Sequence, residues 1–144
     1  MNTFEIFNNG KLITPAATKD FSDIPWSEHP AFTGVALKHI LTSEETDGAY
    51  SYHLVRMAPN CSIGEHIHKT QLETHEVIAG NGTCTNKGTT IPYEPGVISV
   101  FPAGIPHEVK RWQRWIVLIC QVHACPVLTP DIFNKKWPEK AISY

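Results

Sequence analysis

The chain lacks several features that would settle a function class at once. No two of its four cysteines, Cys61, Cys84, Cys120 and Cys125, form a Cys-x-x-Cys pair, which argues against a zinc ribbon or a thioredoxin-type site. It has no basic field: the net charge is −2 with histidines neutral, and charged residues make up 18%. That leaves no handle for nucleic acid and no polybasic patch for a membrane. The longest apolar run, Trp115–Cys120, is far too short to span a bilayer. The first residues, MNTFEIFNNGK, carry neither the basic start nor the apolar run of a signal peptide. A soluble cytoplasmic protein with free thiols is therefore expected. There is no Gly-rich phosphate loop, internal repeat, low-complexity segment or linker. No amphipathic helical pattern is sustained before the tail.

What is present suits one domain. A chain of 144 residues with 42% hydrophobic residues is large enough to bury its own core. Eleven prolines and nine glycines punctuate it. Residues Thr3–Phe7 and Lys11–Ile13 flank Asn8-Asn9-Gly10 and read as a short hairpin. Between Thr14 and Gly34, Pro15, Pro25 and Pro30 exclude a long helix, and Phe21, Trp26 and Phe32 read as anchors of an extended arm. Strands are expected at Val35–Leu41, Tyr50–Met57, Ile63–His68, Thr74–Ala79, Thr83–Asn86, Thr89–Pro92, Val97–Phe101, His107–Arg111 and Trp115–Val122, with turns of Gly, Pro and Asn between them. Short strands with frequent turns indicate an all-β sandwich or barrel. Residues 1–49 would supply N-terminal strands and the arm packing on the barrel, 50–122 the barrel core, and 123–144 a tail with a short helix over Asp131–Lys136, bounded by Pro138.

The stretch Cys61–Gly82 concentrates the chemistry. In a strand, His66 and His68 send their side chains to one face. The segment Lys69–Leu72 bends the chain and returns Glu73 beside them. Two readings stay open at this point: ordinary polar residues of a hairpin, or donors to one metal ion. His75 shares the parity of Glu73, and is either an acid–base group or alternative ligand, or a packed supporting histidine. The parity set Tyr50, Tyr52, Leu54, Arg56 either lines the pocket, with Arg56 holding a substrate carboxylate, or packs between layers. His39 and His53 lie on neighbouring strands. Cys61 has no charged partner that would activate it. His29 and His123 read as surface or core residues.

A second stretch, Gly96–Arg111, follows the pattern G-x5-P-x-G-x2-H through Gly96, Pro102, Gly104 and His107. The first follows H-x-H-x4-E-x6-G through His66, His68, Glu73 and Gly80. Together, in this order and separation, they resemble the two motifs of the cupin superfamily over about residues 50–122. The chain departs at two places. Asn60 stands where the first motif usually opens on Gly, and Asn tolerates the same left-handed turn. Arg111 stands where the second motif often ends in Asn.

The resemblance implies a double-stranded β-helix, or jelly-roll barrel. It implies His66, His68, Glu73 and His107 as ligands of one first-row divalent ion, Fe, Mn, Ni, Co, Cu or Zn. Pro102, Gly104 and Pro106 would shape the loop that delivers His107, and Gly80 and Gly82 the turn closing the motif hairpin. The continuous apolar strand 115–122, flanked by Trp112, is either central or covered on both faces. A covered outer face, as cupins commonly show, implies a homodimer. Two function classes follow. One is a metal-dependent oxygenase, isomerase or lyase on a small polar molecule. The other is a non-catalytic module that binds or senses a small ligand. The motifs leave substrate, reaction and working metal open.

Overall fold

The structure is a computed structural model and describes residues 3–110 and 115–124. It opens with a six-residue helix, α1 (Thr3–Asn8), followed by β1 (Lys11–Ile13), β2 (Thr18–Asp20) and β3 (Ser27–Glu28). Then come β4 (Val35–Leu41), β5 (Tyr50–Met57), β6 (Ser62–His66) and β7 (Gln71–Ala79). The last described strands are β8 (Gly82–Asn86), β9 (Thr89–Tyr93), β10 (Ile98–Phe101), β11 (His107–Lys110) and β12 (Ile116–Ala124). Six strands form one antiparallel sheet in the order β10-β7-β12-β5-β4-β3, and four form a second in the order β6-β11-β8-β9. The described residues are thus all-β apart from short helical turns, and the two sheets pack face to face as a jelly-roll barrel. The helix expected over Asp131–Lys136 lies outside the described residues, as do Arg111, Trp112 and Cys125.

The barrel core lies between the sheets. Val35, Val55, Met57, Val77, Ile116 and Leu118 face it from the large sheet, and Ile63, Cys84, Tyr93 and Val109 from the small one. Apolar side chains fully buried in this way each stabilise the fold by about 1.5–3 kcal/mol. A second cluster covers the opposite face of the large sheet. There Ile40, Leu54 and Ile119 meet Phe21, with Phe7, Leu12, Ile24, Trp26 and Tyr52 packed around them. The N-terminal arm is the layer that covers this face. The apolar continuity of β12 follows from this double burial. The strand is central, and its outer face is covered by the same chain, which removes the need for a second copy there.

Two local expectations are corrected. Thr3–Phe7 is not a strand: α1 takes its place, and β1 pairs with β2 rather than with the preceding segment. Phe4 and Phe7 are three apart, which places both on one helical face. Phe7 packs against Phe21 with tilted rings, centroids 5.7 Å apart. Asn8-Asn9-Gly10 then ends the helix instead of turning a hairpin. The Asn9 side chain donates to the Glu5 carbonyl at 2.9 Å, and the Gly10 amide to the Phe7 carbonyl at 3.0 Å. The motif hairpin is corrected too. β6 belongs to the small sheet and β7 to the large one, so the segment between them crosses from one sheet to the other. Gly80 still marks a turn. Its φ is +79°, and a Cβ there would fall on the Trp115 carbonyl oxygen. Asn60 adopts the left-handed conformation its place requires, with φ 59°.

Candidate metal centre

The site sits where the two sheets meet. His66 is the last residue of β6 and is the register partner of His107, the first of β11. Their ring centroids are 4.3 Å apart. Glu73 comes from β7 in the other sheet, and His68 from the crossing segment, two residues past the end of β6. The strand ends earlier than the sequence suggests, yet His68 still reaches the site. Its carbonyl accepts the Gly104 amide at 2.8 Å, tying the crossing segment to the loop before His107. Gly104 has φ +81°, the left-handed conformation that aims this amide. One donor atom from each of His66, His68, Glu73 and His107 lies within 4.8 Å of the others.

The hydrogen bonds decide which atoms face the centre. His66 Nδ1–H donates to the Gly64 carbonyl at 2.7 Å, and His107 Nδ1–H to the Ile105 carbonyl at 3.0 Å. Each Nε2 is thereby left with its lone pair. His107 is almost wholly buried and stacks on Phe101, centroids 4.1 Å apart. The Nε2 atoms of His68 and His107 are buried without a hydrogen-bond partner. Buried polar atoms are rarely left so, since each costs about 1–3 kcal/mol. One oxygen of Glu73 joins them: Oε2 lies against His68 Nε2 and 3.7 Å from His107 Nε2. Three imidazoles and a carboxylate with converging lone pairs fit a divalent first-row ion.

The other oxygen of Glu73 is held from behind. His75 Nε2–H donates to Oε1 at 2.5 Å, and the Cys120 thiol at 3.4 Å. The Tyr93 hydroxyl donates to His75 Nδ1 at 3.1 Å. Both ring nitrogens of His75 are therefore engaged, and its side chain is buried. Burial pushes the Glu73 carboxyl up, but the imidazoles of His107, His68 and His75 outweigh it and hold it well below the usual carboxylate range. Burial pushes His66 down, toward the neutral form that a ligand must have. A second group of close donors, Glu73, His75 and Cys120, adjoins the first and shares its carboxylate.

A cavity of about 310 Å³ opens onto these residues. Its walls bring in residues that sequence reasoning did not place there. Glu28 and His29 come from the arm, His39 from β4, His53 from β5, and Cys120 and Val122 from β12. His29 Nδ1 accepts the Ala31 and Phe32 amides at 3.0 and 3.3 Å, so its proton sits on Nε2. Of the two readings for the set Tyr50, Tyr52, Leu54 and Arg56, the structure shows packing between layers and not pocket lining. His53 and Val55 line the cavity, whereas Tyr50, Tyr52 and Arg56 do not. Tyr52 packs in the outer cluster, the Tyr50 hydroxyl donates to Gln121 at 2.9 Å, and the Arg56 guanidinium lies 4.4 Å from the Trp26 ring centre. The cue was the outer set's own chemistry, since an arginine between aromatic residues suits a half-exposed layer.

The comparisons with known proteins agree with this architecture. The Cupin domain family model matches residues 53–112. Among solved structures, a predicted oxalate decarboxylase from Thermotoga maritima superposes with a TM-score of 0.66 at 18% identity, covering 72% of this chain and 95% of that one. KdgF from Halomonas sp. gives 0.63 at 14% identity, covering 73% and 90%. The polyketide cyclase RemF from Streptomyces resistomycificus gives 0.61 at 16%, covering 78% and 87%. At such identities the likeness establishes the fold. No curated protein matches the chain.

Proposed function

The chain belongs to the cupin superfamily, and on that premise we propose that it is a metal-dependent enzyme of the oxygenase, isomerase or lyase type, acting on a small polar molecule. His66, His68, Glu73 and His107 would hold one first-row divalent ion. The observation that carries the reading is the convergence beside a cavity of one donor atom from each of His66, His68, Glu73 and His107 within 4.8 Å, with the Nε2 atoms of His68 and His107 buried against one Glu73 oxygen. When bound, the ion would supply Lewis acidity, and with iron or copper a place for O₂. The protein does the rest. The Gly64 and Ile105 carbonyls orient His66 and His107. His75, itself held by Tyr93, and Cys120 hold one oxygen of Glu73, and the other faces His68 and His107. We read His75 as a positioning residue rather than an acid–base group, because both its nitrogens already have partners. Val55, Ile63 and Val122 would seat the apolar body of the substrate and exclude water.

The alternative is a module that holds a ligand without turning it over, and the same cavity serves both. Oxygen uptake by the iron-loaded protein, with catechols, thiols and keto acids, separates an oxygenase from the rest. Isomerisation or elimination by the zinc- or manganese-loaded protein would mark the other enzyme classes. Saturable binding of these compounds without turnover by any loaded form would favour the module.

No helix among the described residues is long and apolar enough to cross a membrane. The reading further places the protein in the cytoplasm as a homodimer. Exposed Trp115 (53%) and Ile98 (63%), the latter on edge strand β10, support a second copy docking there. Sedimentation velocity tests it, and a monomer at micromolar concentration would count against it.

A further inference from the structure

The cavity carries a second set of histidines that the ligand group does not use. His39 on β4 and His53 on β5 are register partners. Their Nδ1 atoms are 2.8 Å apart, and the rings meet edge to face. His53 Nε2 lies 2.9 Å from Ser51 Oγ. Both rings line the metal cavity, and both also line an outer pocket of about 400 Å³ shared with Thr42, Glu44 and Ser51. The pair forms part of the wall between the two spaces.

Two imidazole nitrogens at this distance share one proton, because two N–H groups would collide and two lone pairs would repel. With both rings neutral, two arrangements exist. In the first, His53 Nδ1–H donates to His39, Ser51 donates to His53 Nε2, and His39 carries its proton on Nε2. In the second, His39 Nδ1–H donates to His53, His53 Nε2–H donates to Ser51, and His39 Nε2 is bare. Passing from one to the other changes whether His39 Nε2 is donor or acceptor, and leaves neither ring charged. The surroundings favour a neutral His53 ring. Burial and the neighbouring His39 push His53 down to about 4, against the pull of Glu73. Glu28 and His29 of the arm, Glu44 of the loop between β4 and β5, His66 of β6, His68 of the crossing segment, Glu73 and His75 of β7, and Cys120 of β12 are the other titratable groups on the two spaces.

We propose that Ser51, His53 and His39 form a proton relay between the outer pocket and the metal cavity, and that the substrate is an enolisable carbonyl compound. This rests on the metal-centre reading above. In the step, the substrate C–H bond next to the carbonyl breaks and its proton goes to His39 Nε2. The electron pair forms a C=C bond, and the carbonyl π pair moves onto oxygen. His39 Nδ1–H passes to His53, His53 Nε2–H to Ser51, and the Ser51 proton to water in the outer pocket. Running in reverse, the relay reprotonates the product, so no oxidant or reductant is consumed.

Two measurements test this. Long-range ¹H–¹⁵N NMR of the metal-free protein, assigned with H39Q and H53Q, reads the tautomers. Near neutral pH the relay requires two neutral rings with one proton shared between the Nδ1 atoms. A charged ring, or two protonated or two bare Nδ1 atoms, overturns it. The second measurement follows hydrogen exchange at C3 of pyruvate in D₂O with the zinc-loaded protein. The parent should exceed zinc in buffer, and H53Q should slow exchange by about a hundredfold with unchanged zinc content. With full zinc content, no acceleration by the parent, or an H53Q rate within about twofold of it, overturns the relay. A parent that takes up no metal would instead undo the metal-centre reading, and the NMR result would still decide the pair.

Discussion

Two groups of histidines face one cavity and are held by opposite means. In the candidate ligand group, backbone carbonyls two residues upstream fix Nδ1 of His66 and His107, while the buried Nε2 atoms of His68 and His107 crowd onto one shared Glu73 oxygen. In the His39–His53 pair, the side chains satisfy each other and Ser51. A buried donor set left unsatisfied is costly unless something completes it. It therefore points to a missing partner. A satisfied pair points to nothing by itself, and its role must come from where it stands. Here it stands between the cavity and the outer pocket.

Substitutions can break or sharpen this contrast. The largest effect belongs to the ligand group. His107→Ala removes a buried candidate ligand and should abolish stoichiometric metal uptake, read by elemental analysis; retention of one ion per chain would erase the distinction between the groups. Leu54→Ala comes next. Leu54 adjoins His53 in sequence but points into the outer cluster, so it should cost about 2–5 kcal/mol in urea unfolding and leave metal content alone. His75→Ala should weaken metal affinity by about 10–100-fold in competition with a chelator, since it frees one oxygen of Glu73. The smallest effect is on pH. A histidine in the unfolded chain takes up a proton below about 6.5, whereas folded His53 does so only below about 4. The unfolded state binds more protons in that window, so stability falls as pH drops through it. His53→Gln should remove part of that fall in metal-free protein, leaving the part due to His66 and His29, which burial also lowers.

The same contrast explains what the sequence reveals. The four converging donors are legible because they lie within two short motifs that resemble those of the cupin superfamily, although His68 falls two residues past the end of β6. β4 (Val35–Leu41) and β5 (Tyr50–Met57) are legible with their observed bounds, being rich in β-branched and aromatic residues between turns. The pair is not legible, because His39 meets His53 only through the register of β4 on β5. The inward parity of β5 depends on which face the arm covers, and the outer set's arginine and tyrosines are its one local cue. The arm also brings Glu28 and His29 to the cavity by a long route. α1 escapes notice because six residues offer too little periodicity, although Phe4 and Phe7 carry its spacing.

The central claim is that the four converging donors exist to hold an ion. Its most direct test is metal content after purification without added metal and anaerobic reconstitution, for the parent and for the protein with both His66 and His68 changed to Ala. One first-row ion per parent chain, and none in a doubly substituted protein that still folds, is the predicted result. A parent that binds no first-row metal under these conditions, or a doubly substituted protein that binds as much as the parent, would contradict it.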